Sequence, residues 1–338
     1  MPEDREGLPS VLKPDLGVGG GRDGFRATWL GHASFLLEAS STSAGIGRGI
    51  RILCDPVWSE RTSPVQWMGP KRYSRVPCEL GEVCEEGGVD VVVISHDHYD
   101  HLDAASIREI HARRGEDVVF LVGLGMKSWF EAVGVRSEQV REMDWWDGVE
   151  VRVKGEGEGE GVEGGVKVYC TPSQHFSGRG LFDRGKTLWC SWSFVETSSS
   201  ENGVAKRCYF AGDTGYRSWS KEDMSPDELN ELPRCPAFKQ IGEHLGPFDL
   251  ALLPIGLCTP KTFMSSVHCN PWDTVEVHKD IKSKKSVGMH YGTVRGGISQ
   301  DYEDVTLPAK WWKQASEEAG LKWGEETLLI DIGETIVV

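Results

Sequence analysis

The stretch VVVISHDHYDHLD, Val91 to Asp103, decides the fold because it joins an apolar strand to a concentration of metal-binding side chains. Its first four residues are β-branched and apolar, which is typical of a strand buried on both faces. Three histidines and three aspartates then follow within eight residues. In an extended chain His96 and His98 point to the same side, because successive side chains alternate. The pattern therefore predicts that these two histidines bind one metal ion at the mouth of a sheet.

Asp100 and His101 extend the motif to His-x-His-x-Asp-His and predict a second metal position. A sharp turn after His98 would present both side chains to that position. Imidazole nitrogens and carboxylate oxygens suit zinc, iron or manganese at about 2.0–2.2 Å. Four ligand-type residues at this spacing are not explained as ordinary surface or core groups, so we expect a metal site here.

Three further candidate ligands stand at the carboxyl ends of other predicted strands. They are His175 in CTPSQHFSG, Asp213 in CYFAGDTGY and His290 in SVGMHYGT. In α/β architectures, binding and catalytic residues commonly lie at the carboxyl ends of strands. The glycines that flank Asp213 would let the backbone approach the site closely. These positions could complete a site for two ions.

Composition limits the classes of function. The chain has 338 residues, 39% of them hydrophobic and 26% charged, which is typical of a globular protein with a real core. A formal charge of −15 argues against nucleic acid as a partner. Nine scattered cysteines without a Cys-x-x-Cys pair predict reduced thiols. With no secretory signal in the first residues, we expect an intracellular protein, cytoplasmic or peripherally associated with internal membranes.

The domain organisation is predicted to be simple. Residues 1–24 form a flexible leader and residues 25–338 one domain, in which strands alternate with helices. Residues 155–165 are a low-complexity Gly/Glu loop, and residues 217–234 are a surface insertion. The main predicted elements are strands at 25–30, 34–39, 49–55, 89–95, 118–123, 166–171, 188–196, 206–211, 248–253, 286–290 and 327–333, and helices at 104–114 and 271–283.

The ligand set resembles the metallo-β-lactamase superfamily, whose fold is a four-layer αββα sandwich of the α/β class. The resemblance implies that one ion is held by His96, His98 and His175. It implies a second ion held by Asp100, His101 and His290, with Asp213 bridging both. It also implies two divalent ions, with zinc as the expected metal.

Longer strings resemble one family of that superfamily, the N-acylphosphatidylethanolamine-hydrolysing phospholipases D, over residues 25–335. The strings SPVQWMGPKR and KKSVGMHYGT are the most specific. The resemblance implies a metal-dependent phosphodiesterase that releases N-acylethanolamine and phosphatidic acid by attack of a metal-bridging hydroxide. Hydrolysis of a lactone or another phosphodiester on the same fold is the main alternative. Two further alternatives are a redox enzyme and a non-catalytic binding protein of the same fold.

Individual residues receive expected roles from this resemblance. Asp100 and Asp213 would position the attacking water as well as bind metal. Tyr99 would contact substrate, or pack beneath the turn. His268 would contact the phosphate or protonate the leaving group, or else be a structural histidine near a helix start.

The substrate implies a phospholipid partner and peripheral membrane contact. Residues 63–73, SPVQWMGPKRY, combine apolar and cationic side chains and are the candidate contact, with Trp67 and Arg72 among them. A homodimer is a further implication of the resemblance.

Overall fold

The computed structural model describes residues 7–17, 24–40, 49–85, 88–152, 165–197, 205–296 and 301–338. The predicted low-complexity loop lies outside these residues apart from Gly165, and so does about half of the predicted leader. The described leader residues 7–17 lie against the domain: Leu12 N–H donates to Ile332 O at 2.8 Å, and Leu16 is buried. This part of the leader is therefore packed.

Sixteen strands and eight helices lie in the described ranges. The strands are β1 Arg26–Gly31, β2 Ser34–Glu38, β3 Arg51–Cys54, β4 Lys71–Arg72, β5 Val91–Ile94, β6 Val119–Gly123, β7 Val140–Met143, β8 Gly148–Arg152, β9 Gly165–Thr171, β10 Ser191–Glu196, β11 Arg207–Phe210, β12 Leu250–Pro254, β13 Ser286–Met289, β14 Val294–Arg295, β15 Thr327–Leu328 and β16 Thr335–Val337. The helices are α1 Leu80–Glu85, α2 Ala104–Arg114, α3 Lys127–Ala132, α4 Pro226–Asn230, α5 Ala237–His244, α6 Lys261–Met264, α7 Pro271–Asp280 and α8 Leu307–Glu318.

Two mixed seven-stranded sheets carry the fold. The first has the order β16-β1-β2-β3-β5-β6-β7, with parallel pairing from β3 to β7. The second has the order β15-β13-β12-β11-β10-β9-β8, with parallel pairing from β11 to β15. A short antiparallel pair joins β4 to β14. Parallel strands from both sheets therefore supply carboxyl ends that can build one site.

The core has the layering of a four-layer sandwich. One apolar cluster fills the space between the sheets and reaches α5, α7 and α8, while a second lies under α1, α2 and α3. Alternate residues of β5 enter different clusters: Val91 and Val93 face the second sheet, and Val92 and Ile94 face the helices. The predicted αββα architecture is confirmed.

Some local predictions agree with the structure and others differ from it. Helix α2 begins and ends where expected, and the Asp103 side chain caps it by accepting from Ala105 N–H. All nine cysteines are free, as predicted. Residues 217–234 are less superficial than expected, because Arg217 and Trp219 are buried and both donate to Asp273 of α7. None of the helices in the described ranges has the length and apolar character of a membrane span.

Candidate metal centre

The segment after β5 sends alternate side chains to opposite sides. His96 and His98 point into a cluster of histidines, whereas Asp97 points away and accepts from Gly178 N–H and Thr187 Oγ1 at 2.7 and 2.9 Å. A turn follows, in which the N–H of His101 donates to His98 O at 3.1 Å. That turn carries Asp100 and His101 to the second half of the cluster, as the sequence predicts.

The other candidate ligands arrive from the second sheet. His175 follows β9, Asp213 follows β11, and His290 directly follows β13. Gly212 has φ +58°, and a Cβ there would lie 2.5 Å from Ser95 Cβ, so only glycine lets the Asp213 segment approach β5 this closely. All seven sequence-predicted ligands therefore meet at one edge of the two sheets.

His96, His98 and His175 form the first donor group, called here the three-histidine group. The Nδ1 atom of His98 lies 2.8 Å from His96 Nε2 and 3.2 Å from His175 Nε2. One nitrogen cannot satisfy two such neighbours by hydrogen bonding alone. Ligand atoms about 2.1 Å from a tetrahedral ion are themselves about 3.4 Å apart, so the spacing fits a shared cation.

The second donor group contains Asp100, His101 and His290, and the structure adds His32 to it. We call these four residues the Asp100 group. His101 Nε2 lies 3.3 Å from His290 Nε2, and 3.8 Å from Asp100 Oδ2. These donors are of the type that binds zinc, iron or manganese.

Asp213 lies between the two groups. Its Oδ2 is 3.8 Å from His175 Nε2 and 3.2 Å from His101 Nε2, and its Oδ1 is 3.0 Å from His290 Nε2. Despite that last contact, Oδ1 makes no hydrogen bond of proper geometry with any residue that the structure describes, although the side chain is buried. A buried carboxylate oxygen that lacks a hydrogen bond needs another partner. Since Asp213 is surrounded by imidazole nitrogens of both donor groups, one cation in each group would supply it.

Hydrogen bonds on the outer side of two histidine rings determine which ring nitrogen faces the centre of the cluster. His175 Nδ1 donates to Val267 O at 2.8 Å, and His101 Nδ1 donates to Asp55 Oδ2 at 2.7 Å. Both rings therefore offer Nε2 to the cluster. Such second partners commonly set the tautomer of a metal-binding histidine.

The charges of the cluster depend strongly on one another. Burial lowers the pKa of His96 and of His175 well below the ordinary value, so both rings are neutral. Burial opposes charge on Asp213, but His101 and His290 hold its pKa well below the usual range. The same carboxylate, with Asp100, raises the pKa of His290 to about 9 against the effect of burial. A cation entering the Asp100 group displaces protons, so its affinity should fall as the pH falls.

Asp55 is a supporting residue that the sequence did not single out. It is fully buried, and its carboxylate accepts from Ser95 N–H at 2.7 Å, Ser95 Oγ at 2.5 Å and His101 Nδ1. Because the Ser95 hydroxyl donates to Asp55, it accepts from His96 Nδ1 at 3.0 Å. One carboxylate thereby orients a ligand of each donor group. In the sequence, Asp55 could have been found only by its position: it stands at the end of the predicted strand that becomes β3, just as the ligands stand at the ends of other strands.

His32 is the other residue that sequence reasoning missed. Its Nε2 donates to Asp100 Oδ2 at 3.0 Å, and its backbone carbonyl accepts from His290 N–H at 3.1 Å. Burial lowers its pKa to about 3, so the ring is neutral. His32 thus connects the turn between β1 and β2 to the Asp100 group.

Tyr99 and His268 lie at the margin of the cluster. The Arg179 guanidinium stacks 3.9 Å from the centre of the half-buried Tyr99 ring. His268 Nδ1 lies 3.8 Å from Asp213 Oδ2 and has no hydrogen-bond partner among the described residues. Burial lowers the pKa of His268 to about 4. The roles expected for both residues stay predictions.

The candidate lipid-contact segment, residues 63–73, is only partly as expected. The Trp67 side chain is 75% exposed. The expectation that Arg72 contributes a surface cation is wrong, because its guanidinium is buried and donates to the carbonyl oxygens of Val57 and Ser59.

Comparison with known proteins identifies relatives of this site and fold. Residues 50–291 match the family model of the beta-lactamase superfamily domain. The N-acyl-phosphatidylethanolamine-hydrolyzing phospholipase D 1 of Caenorhabditis elegans is 35% identical over 99% of this chain and 82% of the worm protein. The mitochondrial N-acyl-phosphatidylethanolamine-hydrolyzing phospholipase D of Saccharomyces cerevisiae is 30% identical over 84% of this chain and 52% of the yeast protein.

Solved structures support the fold independently. A metallo hydrolase from the hyperthermophilic archaeon Ignicoccus hospitalis superposes with a TM-score of 0.54 at 21% identity, covering 93% of this chain and 98% of the archaeal chain. At this identity the similarity establishes the fold alone.

Asp55→Asn should weaken metal binding about 10–100-fold, because outer partners of metal ligands contribute that much to affinity. The asparagine amide would place a donor where Asp55 accepts from Ser95 and His101. His101 would then tend to carry its proton on the nitrogen that faces the cluster. Competition with a fluorescent zinc chelator measures the change.

Asp117→Asn is the matched control, because Asp117 is exposed and ends the short 3-10 helix that follows α2. Zinc affinity of Asp55→Asn within twofold of the unmodified protein would contradict an orienting role for Asp55.

Proposed function

Because the chain belongs to the metallo-β-lactamase superfamily, and within it to the family of the N-acylphosphatidylethanolamine-hydrolysing phospholipases D, we propose that it hydrolyses N-acylphosphatidylethanolamine to N-acylethanolamine and phosphatidic acid. It is a metal-dependent hydrolase, like the relatives that share its fold. The observation that carries the proposal is the position of Asp213 between two complete donor groups. Two adjacent cation positions suit a reaction in which charge develops on phosphate oxygens.

The residues present fit two divalent ions, and zinc is the proposed metal. The three-histidine group would hold one, Asp100 with His101 and His290 would hold the other, and Asp213 would contact both. When bound, such ions supply Lewis acidity toward phosphate oxygens and lower the pKa of a shared water.

The protein's own groups would position the reactants. Asp100 and Asp213 are buried or half-buried acceptors whose oxygens face the centre, and they can orient a water by accepting its hydrogen bonds. His32 donates to Asp100 Oδ2 at 3.0 Å and so holds that carboxylate in place, while His101 Nε2 lies 3.8 Å from the same oxygen. Tyr99, held under Arg179, would contact the substrate at the rim of the cluster.

The Nδ1 edge of the His268 ring lies 3.8 Å from Asp213 Oδ2, and the ring centre lies 5.1 Å from that of His175 and 5.6 Å from that of His290. It is therefore adjacent to a residue of each donor group, where a phosphate held by both cations would lie. As a neutral ring it would donate one N–H to a phosphate oxygen. As a protonated ring beside that phosphate it would supply the proton that the departing alkoxide needs.

The substrate implies a phospholipid surface as partner, and we propose peripheral contact with an internal membrane. The yeast relative is named as mitochondrial, which makes that compartment one candidate. A homodimer is also proposed, and sedimentation of the purified chain would test it.

Incubation of the purified, zinc-loaded protein with N-acylphosphatidylethanolamine in mixed micelles tests the reaction. Mass spectrometry should detect N-acylethanolamine and phosphatidic acid. His96→Ala and Asp213→Asn should each lower turnover about a thousandfold or more, because each removes a group that stabilises charge in the transition state.

His244→Ala is the matched control for His96→Ala, since His244 is exposed at the end of α5. Absence of product with zinc, iron or manganese would contradict the proposed substrate and favour a lactone or another phosphodiester. Full turnover by Asp213→Asn would contradict the shared role of Asp213.

His268→Ala should lower kcat about a hundredfold or more with a smaller change in KM, because general acids contribute about 10²–10⁴-fold to rate. Steady-state kinetics on the micellar substrate separate the two constants. A loss confined to KM would remove the acid role and leave the phosphate contact.

A further inference from the structure

The loop that follows His175 carries a protruding turn with two exposed apolar side chains. This turn, residues 179–186, is called here the 179–186 tip. Leu181 is 91% exposed and Phe182 is 88% exposed, which makes them the most exposed large hydrophobic side chains among the described residues. Two adjacent apolar side chains held in water at the end of a loop are a typical feature of a contact surface.

The tip is an ordered turn rather than a loose loop. The Asp183 carboxylate accepts from the N–H groups of Arg179 and Gly180 at 3.0 and 2.8 Å. Gly185 N–H donates to Ser177 O at 2.9 Å and closes the base of the turn. These hydrogen bonds use the polar groups of the turn internally, so Leu181 and Phe182 are presented outward by a fixed backbone.

The tip is locally cationic in an acidic protein. Arg179, Arg184 and Lys186 outnumber Asp183, which gives the tip a net charge of three minus one, or +2, against −15 for the whole chain. Arg184 and Lys186 are exposed. Basic side chains beside exposed apolar ones complement a surface of anionic headgroups over acyl chains.

The tip is joined directly to the metal centre. Arg179 donates to Asp97 O and Leu102 O, which lie on the turn that carries the ligands, at 2.7 and 2.8 Å. On the other side, Arg184 stacks 4.3 Å from the Phe176 ring, and that ring lies 4.6 Å from the ring of His98. A surface that receives the tip is therefore brought close to the three-histidine group.

The shape of the tip favours a bilayer over a second protein. A stable protein interface buries roughly 800 Å² on each partner. One phenylalanine and one leucine at a narrow turn supply only a fraction of that area, whereas insertion into a lipid surface needs no complementary partner shape.

We propose that the 179–186 tip docks this protein on an anionic phospholipid bilayer, with Leu181 and Phe182 inserted among the acyl chains and Arg184 and Lys186 at the headgroups. The proposal deepens the proposed function, on which it rests for the relevance of a lipid surface. It assigns membrane contact to a loop next to the metal centre, whether or not residues 63–73 also contribute.

Co-sedimentation of the full chain with vesicles tests the proposal. The vesicles are phosphatidylcholine alone or phosphatidylcholine mixed with phosphatidylglycerol, and they contain no N-acylphosphatidylethanolamine. The double variant Leu181→Ser/Phe182→Ser should bind the mixed vesicles at least about tenfold more weakly, because two apolar side chains no longer leave water. Arg184→Gln/Lys186→Gln should lose most of the preference for the anionic vesicles, and high salt should do the same.

Val337→Ser is the matched control, since Val337 is a 51% exposed apolar residue on β16. Unchanged melting temperature and zinc content establish that the variants are folded. Undiminished vesicle binding by Leu181→Ser/Phe182→Ser would overturn the proposal. Loss of binding only in Trp67→Ser/Met68→Ser would overturn it too, because those residues lie on the 63–73 segment. If Leu181→Ser/Phe182→Ser lost self-association but still bound vesicles, the tip would be a contact between copies of the chain, and the proposal would be overturned as well.

The outcome is independent of turnover. Vesicle binding that depends on the tip, in a protein that does not hydrolyse N-acylphosphatidylethanolamine, would support the docking surface and contradict the proposed substrate. Hydrolysis in micelles by a protein that binds neither kind of vesicle would support the proposed function and overturn the docking surface.

Discussion

The buried carboxylate of Asp55 holds the two donor groups in one geometry. It accepts three hydrogen bonds from Ser95 and His101, and through the Ser95 hydroxyl it also orients His96. A buried carboxylate is costly unless it is fully hydrogen-bonded, so the chain must place all these donors around it. Its location at the end of β3, parallel to β5, makes this possible. Both halves of the centre therefore depend on a residue that touches neither cation position.

The ligands could be predicted from the sequence because each carries a local signal. His96, His98, Asp100 and His101 lie within six residues, and their spacing alone indicates a metal site. Asp55 and His32 carry no such signal, since their partners are 40 or more positions away along the chain and meet them only when the first sheet forms. The expectation for Arg72 fails for a different reason: its partners are the backbone carbonyls of Val57 and Ser59, which residue composition does not reveal. The layered fold was expected from the resemblance of the ligand set to the metallo-β-lactamase superfamily rather than from propensity.

The loops connect the chemistry to the proposed substrate. Strands position the metal-binding side chains. The segment after β9 carries the 179–186 tip, and the segment before α7 brings His268 Nδ1 to 3.8 Å from Asp213 Oδ2. Thr214 links these segments: its backbone carbonyl accepts from Cys269 N–H, and its side-chain hydroxyl accepts from Gln174 N–H. A substrate with a phosphodiester and long apolar chains would require both a charged centre and a nearby lipid contact, and the tip proposed as that contact adjoins the three-histidine group.

Anomalous diffraction from crystals of the zinc-loaded protein would test the central claim most directly, namely that two cation positions share Asp213. The account predicts two peaks, one within about 2.0–2.2 Å of the nitrogens of the three-histidine group and one at a similar distance from Asp100, His101 and His290, with Asp213 contacting both. A single peak, or a second peak remote from Asp213, would contradict it.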